Sequence, residues 1–322
     1  MSKKRLEGQL AELRVLRLQE PSAANLAVLR RFLDKEGLVV AGAANLVADW
    51  NAQALGPDLV MAAERLSADG PESDPQCHGK LAIIKALRQM AWPEPEVFML
   101  GCRVVQMEAV WGGKEDSAAP LRAIAAHALA ECAPATQDQV LDTLVDLLAD
   151  PAWTVRAEAV RAIAYSGYTE AARLLRLKLR LGDGEPRVLG ACLDGLLALE
   201  KDRAVALLAE YLVPGRPERP EALAALAVSP YPQAIAKATS QWESVRGTPL
   251  GKVLLSSLAA SPAPEAIDFL LGLLFKAPVS EARQALKAMQ PILDREEVAA
   301  LVQACLKRRK DPVLLLEFEH RI

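Results

Sequence analysis

Seven basic residues recur along the chain at nearly even intervals: Lys80, Arg122, Arg156, Arg187, Arg219, Lys252 and Arg283. The separations are 42, 34, 31, 32, 33 and 31 residues. Cations at such spacing can do two kinds of work. They can close charge-assisted bonds to carboxylates and so lock successive structural repeats in register. Left exposed in a row, they can instead hold an acidic peptide or another polyanion. Three of the seven have an aspartate six residues upstream: Asp74 before Lys80, Asp116 before Arg122 and Asp150 before Arg156. These three are expected to span the turn to their own acid and to the neighbouring repeat. From Arg187 onward that acid is lost, with Val213, Arg246 and Ala277 six residues before Arg219, Lys252 and Arg283. For these four, a role in register and a role in binding both stay open.

A second candidate lies where the spacing lengthens to 42. The segment from Gly101 to Asp116 concentrates polar side chains, a tryptophan and paired glycines. Trp111 is expected to pin a longer inter-repeat loop, with Gln106 and Glu108 satisfying its amides and Gly112 and Gly113 allowing positive φ. A ligand or partner contact is the other reading of the same residues.

Catalytic sets are poorly represented. His78, His127 and His320 are the only histidines, and none stands in a metal-binding spacing such as H-E-x-x-H. Cys77 and His78 are adjacent, so on a helix their side chains diverge by about 100° and form no nucleophile–base pair. His127 with Glu131 makes an i,i+4 pair of the ordinary hydrogen-bonding kind. Gly182-Asp183-Gly184 is a turn and not a phosphate loop, because no G-K-[ST] follows. No enzyme, cofactor or metal site is expected.

The elements that must position the cations follow from composition and periodicity. Hydrophobic residues make up 52% of the 322 residues but aromatics only 4%. The core is therefore built from Ala, Leu and Val, which suits closely packed helices. Amphipathic segments of about 12–18 residues alternate with breaks at Pro, Gly or Asp. The clearest unit runs from Thr136 to Gly167: Val140, Leu141, Leu144, Leu147 and Leu148 line a first helix, Asp150-Pro151 breaks it, and Val155, Ala159, Ala162 and Ile163 line a second. The expected fold is all-α, a right-handed α-α superhelix of about seven to nine helical pairs. Residues 1–70 read as an N-terminal cap with degenerate repeats, 71–290 as the array and 291–322 as a C-terminal capping helix and apolar tail. Lys307-Arg308-Arg309-Lys310 ends a helix begun by Asp294-Arg295-Glu296-Glu297, so the basic run is most simply a solvated helix end.

The formal charge of −3, from 38 basic and 41 acidic side chains, lacks the basic footprint of a dedicated nucleic-acid binder. No stretch reaches the apolar length of a membrane span, and a cytoplasmic protein is expected. Five dispersed cysteines without C-x-x-C spacing indicate neither a disulfide framework nor zinc.

Asp150-Pro151-Ala152-Trp153-Thr154-Val155-Arg156, with a looser copy from Asp116 to Arg122, resembles the HEAT-repeat superfamily. The resemblance covers roughly residues 74–290 and extends to the HEAT-like proteins labelled phycobilisome-lyase-like. It implies second helices lining a concave side; cations without an acid there would offer a groove to a protein or peptide with an acidic surface, and an interaction scaffold is expected. Two enzyme families sharing the fold are controls. Deoxyhypusine hydroxylase carries His-Glu dipeptides around iron, and this chain has none. Alkylpurine DNA glycosylases use tryptophans, an acid and arginines, residue types matched by Trp111, Asp116, Trp153 and Arg156. A nucleic-acid module is thus the alternative to the scaffold, and a bilin-lyase-like activity rests on the family label alone.

Overall fold

In a computed structural model, which describes residues 3–319, the helix-pair pattern is realised almost throughout. His320 lies outside the described residues. The chain divides into two units, residues 1–174 and 175–322. The first holds α1 (Lys3–Leu16), α2 (Ala23–Leu33), α3 (Gly37–Asp49), α4 (Gly56–Ala68), α5 (His78–Gln89), α6 (Pro95–Arg103), a hairpin of β1 (Met107–Val110) and β2 (Gly113–Asp116), α7 (Ala119–Glu131), α8 (Gln137–Leu147) and α9 (Trp153–Ser166). The unit boundary falls within α10 (Ala171–Leu181). The second holds α11 (Pro186–Glu200), α12 (Asp202–Ala209), α13 (Arg219–Val228), α14 (Pro232–Thr239), α15 (Trp242–Val245), α16 (Pro249–Ala260), α17 (Pro264–Lys276), α18 (Val279–Met289), α19 (Glu296–Arg309) and α20 (Pro312–Glu319).

Within each unit the helices form two layers. In the first, α1, α3, α5, α7 and α9 pack in succession, backed by α2, α4, α6 and α8. In the second, α11, α13, α16 and α18 pack in succession, backed by α12, α14, α17 and α19. The chain is an all-α helical-repeat solenoid.

The pair α8–α9 shows why these sequences fold this way. Thr136 and Gln139 close a reciprocal capping box at the start of α8, which satisfies two amides that would otherwise be orphaned. Val140, Leu141, Leu144 and Leu147 are buried along one face. Removing a side chain such as that of Leu144 would cost about 2–5 kcal/mol. On α9 the buried residues are small or branched, Val155, Ala157, Ala159, Val160, Ala162 and Ile163, so neighbouring backbones approach closely. Gly167 then ends the helix at φ +66°. At the chain's end Leu314 and Phe318 are buried, and α20 packs on α18 and α19.

Candidate functional site

Each of the seven ladder cations occupies the first turn or two of a helix in the front layer: Lys80 on α5, Arg122 on α7, Arg156 on α9, Arg187 on α11, Arg219 on α13, Lys252 on α16 and Arg283 on α18. What they do there differs between the units.

In residues 1–174 the first three belong to one continuous polar rail. Asp74, with no exposed surface, accepts from the Gly79 and Lys80 amides at 2.7 and 2.9 Å and faces Lys80 Nζ at 3.2 Å. Lys80 Nζ also donates to the Leu66 carbonyl at 3.1 Å, so this buried ammonium is matched on more than one side. Gly37 permits the arrangement, since a Cβ there would stand 1.9 Å from Asp74 Oδ1. Gln106 Nε2 donates to the Asp74 carbonyl at 2.9 Å, and the Gln106 amide donates to Asp116 Oδ1 at 3.0 Å. Asp116 Oδ2 lies 2.7 Å from Arg122 Nη1. Arg122 then grips Asp150 with a two-pronged bond, Nε and Nη2 at 2.7 and 2.9 Å, and donates to the Val104 carbonyl at 2.8 Å. Burial opposes the Arg122 charge, but the bonds to Asp150 and Asp116 outweigh it and its pKa rises above the ordinary value. Arg156 closes the rail through the Asp150 and Pro151 carbonyls at 2.8 and 3.0 Å. Lys80 and Arg122 are buried, which corrects their place among groove residues: they offer no exposed charge to a partner.

The 42-residue interval holds a β-hairpin where a plain loop was expected. Its anchor is Glu108. Oε1 accepts from the Gln76 amide at 2.7 Å, Gln106 Nε2 at 2.6 Å and the Ser117 hydroxyl at 2.6 Å, and Oε2 accepts from Gln76 Nε2 at 2.9 Å. The Ser117 and Gln106 bonds pull its pKa down from 4.5 to about 2. Gln76 and Cys77 sit at φ 59° and 53°, a strained pair for residues with side chains, and Glu108 ties down the first of them. Trp111 does not pin the segment. It is wholly exposed at the hairpin's tip, followed by Gly112 at φ +92° and then Gly113, which pairs with Val110. The signal for it in the sequence is Gly112, which supplies the positive φ of a two-residue turn after Trp111 between two short segments able to pair as strands.

His127 also departs from expectation. Its Nε2 lies 2.7 Å from Glu158 Oε2 on α9, while Glu131 takes a two-pronged bond from Arg88 on α5. Glu131 titrates below the ordinary value, chiefly because of that Arg88 bond. These are links between adjacent front-layer helices and form no catalytic pair. Cys102 and Cys192 are pushed up to about 12 by burial, far from the reactive range.

In residues 175–322 the cations are nearer solvent. Arg187 Nε stands 3.5 Å from Glu185, Arg219 Nη2 donates to the Ser244 hydroxyl at 3.0 Å, and Arg283 Nε pairs with Glu317 of α20 at 2.6 Å. Lys252 is exposed, and its ammonium has no hydrogen bond or ion pair among the described residues. It flanks a groove of about 230 Å³ between α16 and α18, lined also by Leu255, Ser256, Gln284, Lys287 and Ala288. Lys287, exposed and likewise without an ion pair among the described residues, was not part of the ladder; it lies four residues past Arg283, one helical turn on.

No group of three or more His, Cys, Asp or Glu among the described residues is arranged to hold a metal ion. No helix there is long and apolar enough to cross a membrane.

Residues 141–228 match the family model for HEAT repeats. No curated protein matches the chain. Among solved structures, an engineered protein is similar at 18% identity, covering 94% of this chain and 95% of its own, with a TM-score of 0.35. The match over residues 141–228 supports assignment to the HEAT-repeat superfamily, and the same two-layer packing of helix pairs continues outside the matched residues.

Proposed function

We propose that this chain is a non-catalytic interaction scaffold that receives an acidic segment of a partner on the front layer of residues 175–322. HEAT repeats are in general protein-interaction scaffolds, and the front layer is the one that such arrays turn toward their concave side. The observation that carries the reading is the groove between α16 and α18. Two ammonium groups without an internal acid, Lys252 and Lys287, flank a floor that includes Leu255 and Ala288. Buried ladder cations serve register, whereas exposed ones without partners are poorly explained by stability, because surface charges add little to it.

The test is the affinity of a fluorescein-labelled, Asp- and Glu-rich helical peptide for wild type and for the double variant Lys252→Glu/Lys287→Glu. Binding should weaken by roughly tenfold or more, and wild-type binding should fall with added salt. Equal affinities at unchanged helicity would refute the reading. A single-stranded oligonucleotide that outcompetes the peptide would point to the nucleic-acid alternative.

A further inference from the structure

We infer that the acidic segment seated in the Lys252–Lys287 groove is helix α8 of a second copy of this chain. The inference rests on the proposed reading of the groove and supplies its occupant.

Helix α8 carries Asp138, Asp142 and Asp146 at successive intervals of four, all exposed, and none of the three carboxylates has a hydrogen bond or ion pair among the described residues. Val145, exposed as well, stands beside Asp142 and Asp146 on the same side. This pattern is costly to an isolated helix. Like charges four apart repel, and Asp146 lies in the last turn, where the helix dipole disfavours an anion and where α8 has no basic residue. A cationic surface brought against α8 from outside would remove both penalties. From Asp138 to Asp146 the stripe extends ~12 Å along the axis, within the reach of two lysines on neighbouring helices.

The groove is the complement in charge. Lys252 projects from α16 and Lys287 from α18, with the half-buried Ala288 between them able to meet Val145. The balance of the whole chain points the same way. Residues 1–174 carry 18 basic and 23 acidic side chains, and residues 175–322 carry 20 and 18. An apolar-edged helix laid between basic walls is a familiar mode of recognition. Because donor and acceptor faces differ and every copy has both, the contact is head-to-tail and propagates into a ring or an open chain.

The experiment is sedimentation velocity on the full chain across a range of protein and salt concentrations, with two neutralised variants. Asp138→Asn/Asp142→Asn/Asp146→Asn retains only the groove; Lys252→Gln/Lys287→Gln retains only the helix stripe. Wild type should form dimers closed by two such contacts, or larger species, that dissociate as salt rises. Each variant alone should be monomeric with an unchanged circular dichroism spectrum, and an equimolar mixture should stop at a one-to-one dimer. That stop distinguishes a single head-to-tail contact from loss of folding. The inference is overturned if wild type remains monomeric, or if either variant associates as wild type does. A monomeric wild type that still binds the acidic peptide through Lys252 and Lys287 would overturn self-assembly alone and leave the proposed function standing.

Discussion

The turn before α7 and the turn before α16 begin from one sequence feature, a cation in the fourth position of a front-layer helix, and end differently. Arg122 is buried among Asp116, Asp150 and the Val104 carbonyl. Lys252 stands in solvent. What separates them is the acid. Six residues before Arg122 is Asp116, and the next repeat supplies Asp150; six residues before Lys252 is Arg246, which turns to Glu243 and Glu281 at 3.2 and 3.9 Å. A guanidinium with two carboxylates can be drawn into the interior, because the bonds offset its desolvation. An ammonium without them stays outside. One periodic feature therefore ties neighbouring turns together in residues 1–174 and, at Lys252, leaves a charge without an internal partner in residues 175–322.

The largest effect should come from breaking the rail. Asp150→Ala strips Arg122 of its two-pronged partner and leaves a buried charge only partly compensated, which should cost about 3–5 kcal/mol. Thermal melting followed by circular dichroism would show it as a clear fall in midpoint; a midpoint equal to wild type would mean that water serves Arg122 as well as Asp150 does.

A middle-sized effect should come from Glu108. Its carboxyl is depressed on folding, so its contribution is fully present above its ordinary value of 4.5 and is lost as pH falls toward about 2. Glu108→Gln, which keeps the size but not the charge, should flatten the decline in melting temperature across that acid window while lowering stability at neutral pH. Parallel pH profiles for variant and wild type would remove Glu108 from the account.

Smaller still should be Trp111→Ala. A wholly exposed ring buries nothing, and its loss should change stability by no more than about 0.5 kcal/mol. A larger drop in a urea titration would show that the tryptophan packs after all. Smallest of all in stability should be Lys252→Gln, again within about 0.5 kcal/mol, although the same substitution should weaken acidic-peptide binding.

Much of this contrast is legible in the sequence, because the Asp-x5-basic spacing marks the three cations of the rail, of which Lys80 and Arg122 are buried. The period also brings Asp150 within reach of Arg122, since consecutive turns lie along one edge of stacked pairs. The hairpin is harder to read. Met107 to Asp116 has no clean alternation, and its stability comes from Gln76 and Ser117 at either side, contacts that depend on the α4–α5 turn arriving beside it. For the same reason Trp111 reads as an anchor by its type, when the buried work is done by Gln106 and Glu108. Lys287 is hidden because the 31-residue interval selects Arg283, and only the packing of α18 against α16 shows which cation faces the groove.

The most direct measurement of the central claim is the melting temperature of Arg122→Gln beside that of Lys252→Gln, each paired with acidic-peptide affinity. The account predicts a large loss of stability for Arg122→Gln, and a loss of affinity without loss of stability for Lys252→Gln. Equal melting temperatures, or undiminished peptide binding by Lys252→Gln, would contradict it.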